Sequence, residues 1–298
     1  MSMPTPVVTW QLATWVSPQP AWSEMRSVAR VMAGEVYAAD GLDESQFIQQ
    51  GWEIDDQAAL AMYARKGISF ARWLNGSFVI AVWGRVNRRV VLANDRFGLY
   101  RLYYAFHERR LIFAPEVKGI LCDPEFPRQL DLTALAEYIR FQHLLGDRTF
   151  FEGISLFPSA STLTFDLQSV QVSLCPYWTY QDIPYRPDVP FEEAFAETGR
   201  LLKRAVRRLS EDEYRPGIYL SGGLDSRTIL GMVVRRPLST ITYGVWNCRD
   251  VVYARRIAGK AGSNHYWCDP RMASGLKSAS TCTWSLPRVS IALLTPTA

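Results

Sequence analysis

The fold is decided by residues 217–234, which read GIYLSGGLDSRTILGMVV. Ile218 to Leu220 is a short apolar run with the length of a buried strand end. After a glycine-rich turn at 221–226, apolar residues recur at helical spacing from Thr228 to Val233. The stretch therefore predicts a strand, a tight turn and a helix, which together aim main-chain N–H groups and a helix N-terminus at an anion.

The turn carries residue types that suit a phosphate group. Gly222 and Gly223 allow positive φ angles and a close approach of phosphate to the main chain. Ser221 and Ser226 add hydroxyl donors, and Asp225 suits a phosphate that carries Mg²⁺. No Gly-Lys-Ser/Thr follows the glycines, so the turn is not a Walker loop. An ordinary turn between a strand and a helix is the alternative interpretation.

A second strand, a helix and a third strand follow the turn. Thr240–Tyr243 is a predicted strand that ends at Gly244, and Asp250 is the predicted cap of a helix that closes at Gly262. Asn264–Trp267 is the third predicted strand. This alternation implies parallel strands with right-handed crossovers. Ligands of such sheets sit beyond the carboxyl ends of the strands, where the turn at 221–226 and the Tyr243-Gly244 pair are expected to lie.

The N-terminal half predicts antiparallel β structure. A continuous apolar run, a polar turn and a second apolar run predict a hairpin over 78–93, and the pattern continues as a meander through 102–114. A late hairpin is predicted over 161–174. Helices are predicted at 55–66, 115–121, 132–141 and 191–209.

Three segments follow from changes in composition. A proline-containing linker at 180–189 puts a boundary between residues 183 and 184. Residues 271–298 contain no Asp or Glu and show no periodicity, so we expect a poorly ordered tail without a sheet element. The predicted segments are 1–183, 184–270 and 271–298.

Charge and cysteine content narrow the class of protein. The chain has 298 residues, 33 basic and 29 acidic, with a net charge of +4, which gives no electrostatic case for binding nucleic acid. Its 5 cysteines have no CxxC spacing, so we expect reduced thiols in a cytoplasmic protein. No secretory signal and no apolar run of about 20 residues is present, which argues against a membrane partner.

Several motifs resemble those of known families. Ser221-Gly-Gly-Leu-Asp-Ser226 resembles the pyrophosphate-binding loop of the ATP pyrophosphatases. Residues 25–270 resemble glutamine-hydrolysing asparagine synthetase and its relative β-lactam synthetase. The resemblance rests on the order and spacing of Leu74–Trp83, Asn94–Tyr104, Ala114–Lys118, Gly153–Pro158, Tyr177–Trp178 and Thr242–Ala258.

The resemblance implies a fold and an activity. It implies an N-terminal Ntn-hydrolase-like antiparallel sandwich and a C-terminal, partial, doubly wound parallel sheet of the PP-loop type. In the family the first domain releases ammonia from glutamine. The second domain adenylates the side-chain carboxylate of aspartate, and ammonia then displaces AMP. The implied cofactors are ATP and Mg²⁺, and the implied partner is a small-molecule carboxylate substrate. A homodimer is one possible assembly.

The resemblance also assigns residues to the site. Asp225 would anchor the Mg²⁺-bearing pyrophosphate, and no catalytic residue is assigned. His265 matches a family histidine position, although packing is the simpler interpretation of this residue. The residues assigned to ATP are Leu220, Ser221, Gly222, Gly223, Leu224, Asp225, Ser226, Tyr243, Gly244 and Asp250.

The N-terminal domain departs from the family at its glutamine site. The glutaminase needs a cysteine at the mature N-terminus, whose own α-amine serves as the base. Here the first cysteine is Cys122. Asn75 stands where the glutamine-binding Asp is expected, so Asn75 and Gly76 are interpreted as a remnant of that site. We therefore expect this domain not to hydrolyse glutamine, a loss that β-lactam synthetase shares.

The C-terminal domain departs as well. The family's later Ser-Gly-Glu-Gly-x-Asp-Glu segment, which completes the ATP site, is absent. We expect a terminated or frame-shifted end, weak ATP binding and little synthetase turnover. Three hypotheses stay open: an asparagine synthetase-type amide-forming ligase, a cyclising ligase of the β-lactam synthetase or lasso-peptide kind, and a catalytically inactive fragment.

Overall fold

The chain divides into two compact units. The computed structural model describes residues 9–11, 28–39, 54–84, 86–210, 217–234, 237–269 and 291–294. The first unit comprises Met1–Pro184 with Ser285–Ala298, and the second comprises Tyr185–Trp284. The main division thus falls one residue after the predicted boundary, inside the proline-containing linker.

Two antiparallel five-stranded sheets form the first unit. Their strands are β1 Thr9–Gln11, β2 Val28–Ala39, β3 Leu74–Gly84, β4 Arg89–Asn94, β5 Tyr103–His107, β6 Arg110–Ala114, β7 Ser155–Leu156, β8 Ser161–Asp166, β9 Gln171–Pro176 and β13 Ile291–Leu294. The first sheet has the order β2-β3-β4-β8-β9, and the second has the order β1-β13-β6-β5-β7. The two early hairpins therefore lie in different sheets, and the predicted single meander is wrong.

The helices of the first unit lie close to their predicted positions. They are α1 Ile54–Lys66, which continues into a 3₁₀ helix at Gly67–Trp73, then α2 Val117–Leu121 and α3 Leu132–Phe141. A short 3₁₀ turn follows at Tyr180–Asp182. Asp131 caps α3, because its Oδ1 accepts the N–H of Ala134 at 3.0 Å.

Strand alternation in β3 explains the layers of the first unit. Successive side chains of a strand point to opposite faces. Phe78 and Ile80 face the cluster that contains Met62 of α1, whereas Ala81 faces the cluster that contains Phe113 of the second sheet. The first sheet is thus buried on both sides, by α1 and by the second sheet. The second sheet in turn packs against α2 through Ile112, Ala114 and Ile120.

The second unit alternates helices with parallel strands. Its elements are α4 Phe191–Arg208, β10 Gly217–Tyr219, α5 Leu224–Met232, β11 Ser239–Tyr243, α6 Arg249–Ala261 and β12 Asn264–Cys268. Strands β10, β11 and β12 pair in that order, in parallel, which confirms the predicted pairing. The apolar core joins Val206, Leu220, Leu230 and Ala254, one from each of the three helices and one from the end of β10.

One face of the parallel sheet carries the helices of this unit. Because the strands follow in sequential order, right-handed crossovers place both connecting helices on the same face. On the opposite face, Tyr219, Tyr243 and Tyr266 are 70%, 54% and 59% exposed. A doubly wound sheet has helices on both faces, so in the described part of the chain only half of that arrangement is present.

Helix α4 is amphipathic, as its sequence predicts, but its apolar face is only partly covered. Val206 is buried against the parallel sheet, whereas Phe191 and Phe195 are exposed and stack on each other with ring centroids 6.2 Å apart. In the described residues, part of the apolar face of this helix therefore stays exposed to solvent.

The tail differs from the prediction at one point. We expected no sheet element after residue 270, yet Ile291–Leu294 forms β13, which pairs with β6 and β1. The short apolar run at 291–294 was too brief to give a periodic signal. The rest of the predicted tail, 271–290 and 295–298, lies outside the described residues.

None of the helices in the described ranges combines the length and apolarity needed to cross a bilayer.

Candidate functional site

The predicted phosphate loop lies at the carboxyl edge of the parallel sheet, between β10 and α5. Leu220 is buried, and its N–H donates to the carbonyl of Ile241 at 2.8 Å, which extends the β10–β11 ladder by one residue. Beyond Leu220 the chain turns outward into solvent. The exposed loop residues are Ser221, Gly223, Leu224 and Asp225.

Two loop hydroxyls bind the loop's own amides. The N–H of Ser221 donates to Ser226 Oγ at 3.1 Å, and the N–H of Gly223 donates to Ser221 Oγ at 3.2 Å. The two hydroxyl oxygens lie 2.9 Å apart. To bind these amides, an anion would therefore have to displace the two hydroxyls. Rotation of each serine about its Cα–Cβ bond would move the hydroxyl away.

The first turn of α5 supplies further amide donors. Leu224, Asp225 and Ser226 open the helix, so their N–H groups have no carbonyl partner within it. Gly223 is the N-cap and makes no side-chain capping bond. The helix dipole adds partial positive charge at this end. This turn is therefore the part of the loop that is best prepared for an anion.

Gly222 serves a different purpose from the one predicted. Neither Gly222 nor Gly223 has a positive φ angle. A Cβ on Gly222 would lie 2.8 Å from Asp250 Oδ1 and 3.0 Å from Asp250 Cα. The glycine is thus required because α6 approaches the loop closely, and neither glycine uses the positive φ that its residue type allows.

The second crossover, from β11 to α6, also corrects a prediction. Gly244 has φ +150°, and a Cβ there would meet Cys248 Sγ at 2.8 Å. Cys248 is the N-cap of α6, and Asp250 lies inside the first helical turn, so Asp250 is not the cap that we expected. An acidic residue in a first turn still interacts favourably with the helix dipole. Its position places Asp250 beside Gly222 of the loop.

Apart from Tyr243, the aromatic groups at the same edge were not predicted. Tyr219 and Tyr243 stack with centroids 5.8 Å apart and an interplanar angle of 29°. Trp246 meets Trp267 edge to face at 4.8 Å, and the Arg255 guanidinium lies 3.8 Å from the centroid of Trp246. The position of each tyrosine as the last residue of a parallel strand was the available signal.

His265 lies away from the loop. Its Nδ1 is 2.9 Å from Thr240 Oγ1, and the two residues pair at the amino-terminal part of β11 and β12. Burial lowers the pKa of His265, and Arg255 lowers it further. Three residues of extended strand, about 10 Å, separate this level from the carboxyl edge. The position supports the packing interpretation of His265.

The predicted remnant of a glutamine site is part of the first sheet. A Cβ on Gly76 would lie 2.2 Å from the carbonyl oxygen of Glu35 and 2.9 Å from Val36 Cα. Gly76 pairs with Val36 across β2 and β3, and the register shifts just beyond this pair. Asn75 is exposed at the end of the same pairing. In the structure these two residues serve a close strand contact.

Two buried polar residues of the first unit were missed. Asp95 accepts the N–H groups of Phe78, Phe97 and Leu99 at 3.2, 2.8 and 3.1 Å. Asn94 bridges the chain by donating to the carbonyl of Pro158 and accepting from the N–H of Ser161, at 2.9 and 3.1 Å. Their side chains are bound to the main chain of their own unit, so they fix a turn.

Comparison with known families identifies both units. A family model described as "Glutamine amidotransferase domain" matches residues 13–178. A second model, described as "Asparagine synthase", matches residues 197–277. The chain belongs to the asparagine synthetase family. Within it, the amidotransferase match covers more than half of the chain, and the asparagine synthase domain is matched only in part.

Two named proteins are similar to this chain over most of its length. An asparagine synthetase [glutamine-hydrolyzing] 2 of Bacillus subtilis is 26% identical over 254 residues, which are 80% of this chain and 34% of that protein. Amidase chry2 of Gibberella zeae is 30% identical over 236 residues, which are 72% of this chain and 32% of that protein. The chain thus spans about a third of the length of these relatives.

One solved structure shares a weak likeness. The glutamine phosphoribosylpyrophosphate amidotransferase of B. subtilis, complexed with ADP and GMP, is 12% identical and aligns over 85% of this chain and 48% of its own, with a TM-score of 0.35. A TM-score this low carries no argument about fold or function.

Proposed function

We propose that the second unit binds the triphosphate of Mg²⁺·ATP at the Ser221–Ser226 loop, as part of an ATP-dependent ligase that adenylates a carboxylate and forms an amide. The single observation that carries the proposal is the exposed strand–loop–helix at the carboxyl edge of a parallel sheet. Membership of the asparagine synthetase family supports the choice of ATP over other anions.

The donors at this edge suit a triphosphate. The first-turn amides of α5 and the hydroxyls of Ser221 and Ser226 offer several N–H and O–H groups within one short loop. Main-chain donors and a helix N-terminus bind phosphate without needing a basic side chain. A grip of this kind holds the β and γ phosphates and leaves the α-phosphorus open to attack by a carboxylate, which would expel pyrophosphate.

A cation that arrives with the nucleotide also fits this edge. No group of three or more His, Cys, Asp or Glu side chains in the described residues could hold a metal ion unaided. Mg²⁺ usually keeps several waters and binds through one or two carboxylates together with phosphates. Asp225 in the first turn of α5 and Asp250 beside Gly222 could supply those carboxylates. Bound Mg²⁺ would neutralise charge on the phosphates.

For the acceptor, we propose an amino acid or a related carboxylate, with aspartate as the first candidate because relatives are named asparagine synthetase. We propose that the first unit does not supply ammonia from glutamine. Supporting this, Asn75 stands where the resemblance expects the glutamine-binding Asp. Asn75 and Gly76 serve strand pairing in the first sheet.

Isothermal titration tests the proposal directly. Mg²⁺·ATP should bind the wild-type chain, and Asp225→Ala should bind it several-fold more weakly, because a carboxylate available to the cation is lost. Glu192→Ala, at an exposed position in the first turn of α4, is the matched control and should bind as the wild type does. Absence of heat with both the wild type and Asp225→Ala would refute nucleotide binding.

Turnover is measured separately from binding. Release of pyrophosphate from ATP in the presence of Mg²⁺ and aspartate would establish the adenylating activity. Binding without release of pyrophosphate would restrict the proposal to a nucleotide-binding role. Ammonia released from glutamine by the purified chain would contradict the assignment of the first unit.

A further inference from the structure

Two tyrosines end neighbouring strands beside the loop. Tyr219 is the last residue of β10, two positions before Ser221, and Tyr243 is the last residue of β11, directly before Gly244. Both side chains leave the face of the sheet that is opposite to the helices, and both are more than half exposed. Their rings therefore lie at the same edge of the sheet as the loop.

The geometry of the pair is that of a stacked surface. The centroids are 5.8 Å apart and the planes are inclined by 29°, within the range of offset-stacked aromatic rings. The neighbouring Tyr219 side chain raises the pKa of Tyr243 through hydrogen bonding. Each ring thus restricts the rotation of the other, and the pair offers a preformed flat surface to solvent.

The stacked pair of Tyr219 and Tyr243 is not needed to hold the ends of β10 and β11 together. The ends of β10 and β11 are already joined by the bond from the N–H of Leu220 to the carbonyl of Ile241 and by a bond from the Thr242 hydroxyl to the carbonyl of Leu220. Large aromatic side chains at these positions keep apolar surface in water, which a structural role does not require. Aromatic faces of this kind stack on nucleobases, because every base has a π-face.

We propose that Tyr219 and Tyr243 form the base-stacking surface of the nucleotide site, and that they favour purine nucleotides over pyrimidine nucleotides. This inference rests on the proposed function, because the loop would bind the triphosphate of the same ligand. Purines present the larger ring surface for stacking. Tyr219 is the new element, since the loop motif Ser221–Ser226 begins two residues later.

Inorganic tripolyphosphate separates the tyrosine pair from the loop. It offers the loop a triphosphate chain with no base. Binding of Mg²⁺·ATP, Mg²⁺·CTP and Mg²⁺·tripolyphosphate is measured by titration calorimetry with the wild type, Tyr219→Leu, Tyr243→Leu and Tyr219→Phe. Tyr266→Leu is the control, because Tyr266 lies on the same face but in β12.

The expected pattern is selective. Loss of either ring should weaken binding of ATP about tenfold and leave binding of tripolyphosphate unchanged. Tyr219→Phe keeps the ring and should restore most of the affinity for ATP, and Tyr266→Leu should behave as the wild type. The wild type should bind ATP more tightly than CTP. Circular dichroism confirms that each variant is folded.

Three other results would overturn the inference. If ATP binds the leucine variants as tightly as it binds the wild type, the rings do not contact the base, although the loop still binds phosphate. If binding of ATP and of tripolyphosphate falls equally, the pair only supports the loop. If the wild type binds neither ligand, the proposed function fails and the stacking surface fails with it.

Discussion

The close approach of α6 to the loop makes Gly222 sensitive to substitution. In Gly222→Ala, the new methyl group would lie 2.8 Å from Asp250 Oδ1 and 3.0 Å from Asp250 Cα. Carbon atoms pack favourably at about 3.5–4.0 Å, so the contact with Asp250 Cα is too short by about half an ångström or more. A backbone atom cannot rotate away, so α6 or the loop has to move.

The magnitude follows from comparable overpacking. Insertion of one methyl group into a tightly packed site costs about 1–3 kcal/mol. Gly231→Ala is the matched control, because Gly231 lies within α5 and a Cβ there meets no atom within 4 Å. Alanine should stabilise that helix position by about 0.5–1 kcal/mol. The two variants should therefore differ by about 1.5–4 kcal/mol, with opposite signs relative to the wild type.

Urea unfolding followed by circular dichroism measures this difference. Hydrogen exchange at the amides of α5 and α6 assigns the change to the second unit. Gly222→Ala should also weaken binding of Mg²⁺·ATP, because the loop shifts. If Gly222→Ala is as stable as the wild type, the close approach of α6 to the loop is not as described, and the explanation given for this glycine is wrong.

Substitutions at three further positions test other features. Arg110→Met should destabilise the first unit by about 3–5 kcal/mol, measured by urea unfolding, because it leaves the buried carboxylate of Asp123 without the guanidinium 3.0 Å away; a loss below 1 kcal/mol would contradict a buried ion pair. Asp131→Ala should lower the free energy of unfolding by about 1 kcal/mol through loss of the cap of α3, again measured by urea unfolding. Asp131→Asn should keep most of that stability, because asparagine is also a good N-cap residue. Burial lowers the pKa of His265, so below about pH 6.5 the unfolded chain binds more protons and stability should fall with falling pH. Between pH 7 and pH 5 the urea midpoint of His265→Gln should fall less than that of the wild type. If the two midpoints fall equally with pH, His265 does not cause the loss of stability.

Local sequence patterns predicted most of the individual elements. Helical spacing predicted α3 and α6 within one or two residues, whereas α5 begins at Leu224, inside the turn predicted over 221–226. Alternation of strands and helices also predicted the parallel pairing of β10, β11 and β12. The helices depend on residues that are close in sequence, and the parallel pairing follows from the order of strands and helices along the chain.

Features that depend on distant partners were not predictable. A run of alternating residues does not indicate which of two sheets it joins, so the hairpin β5–β6 was assigned to the same meander as β3–β4. Asp250 has the residue type of a helix cap, but its role depends on Gly222, 28 positions earlier. The glycines of the loop were attributed to φ angles because the approach of α6 leaves no local signal.

The open tyrosine face of the parallel sheet has a practical consequence for handling the protein. Parallel sheets are normally covered on both faces. In the part of the chain that the structure describes, this face is uncovered, and an exposed aromatic surface favours self-association when the protein is concentrated. Tyr266→Ser, a change in β12 and remote from the loop, should raise the concentration at which the protein precipitates. Work on this chain would then best begin from that variant, since it improves solubility without touching the nucleotide edge.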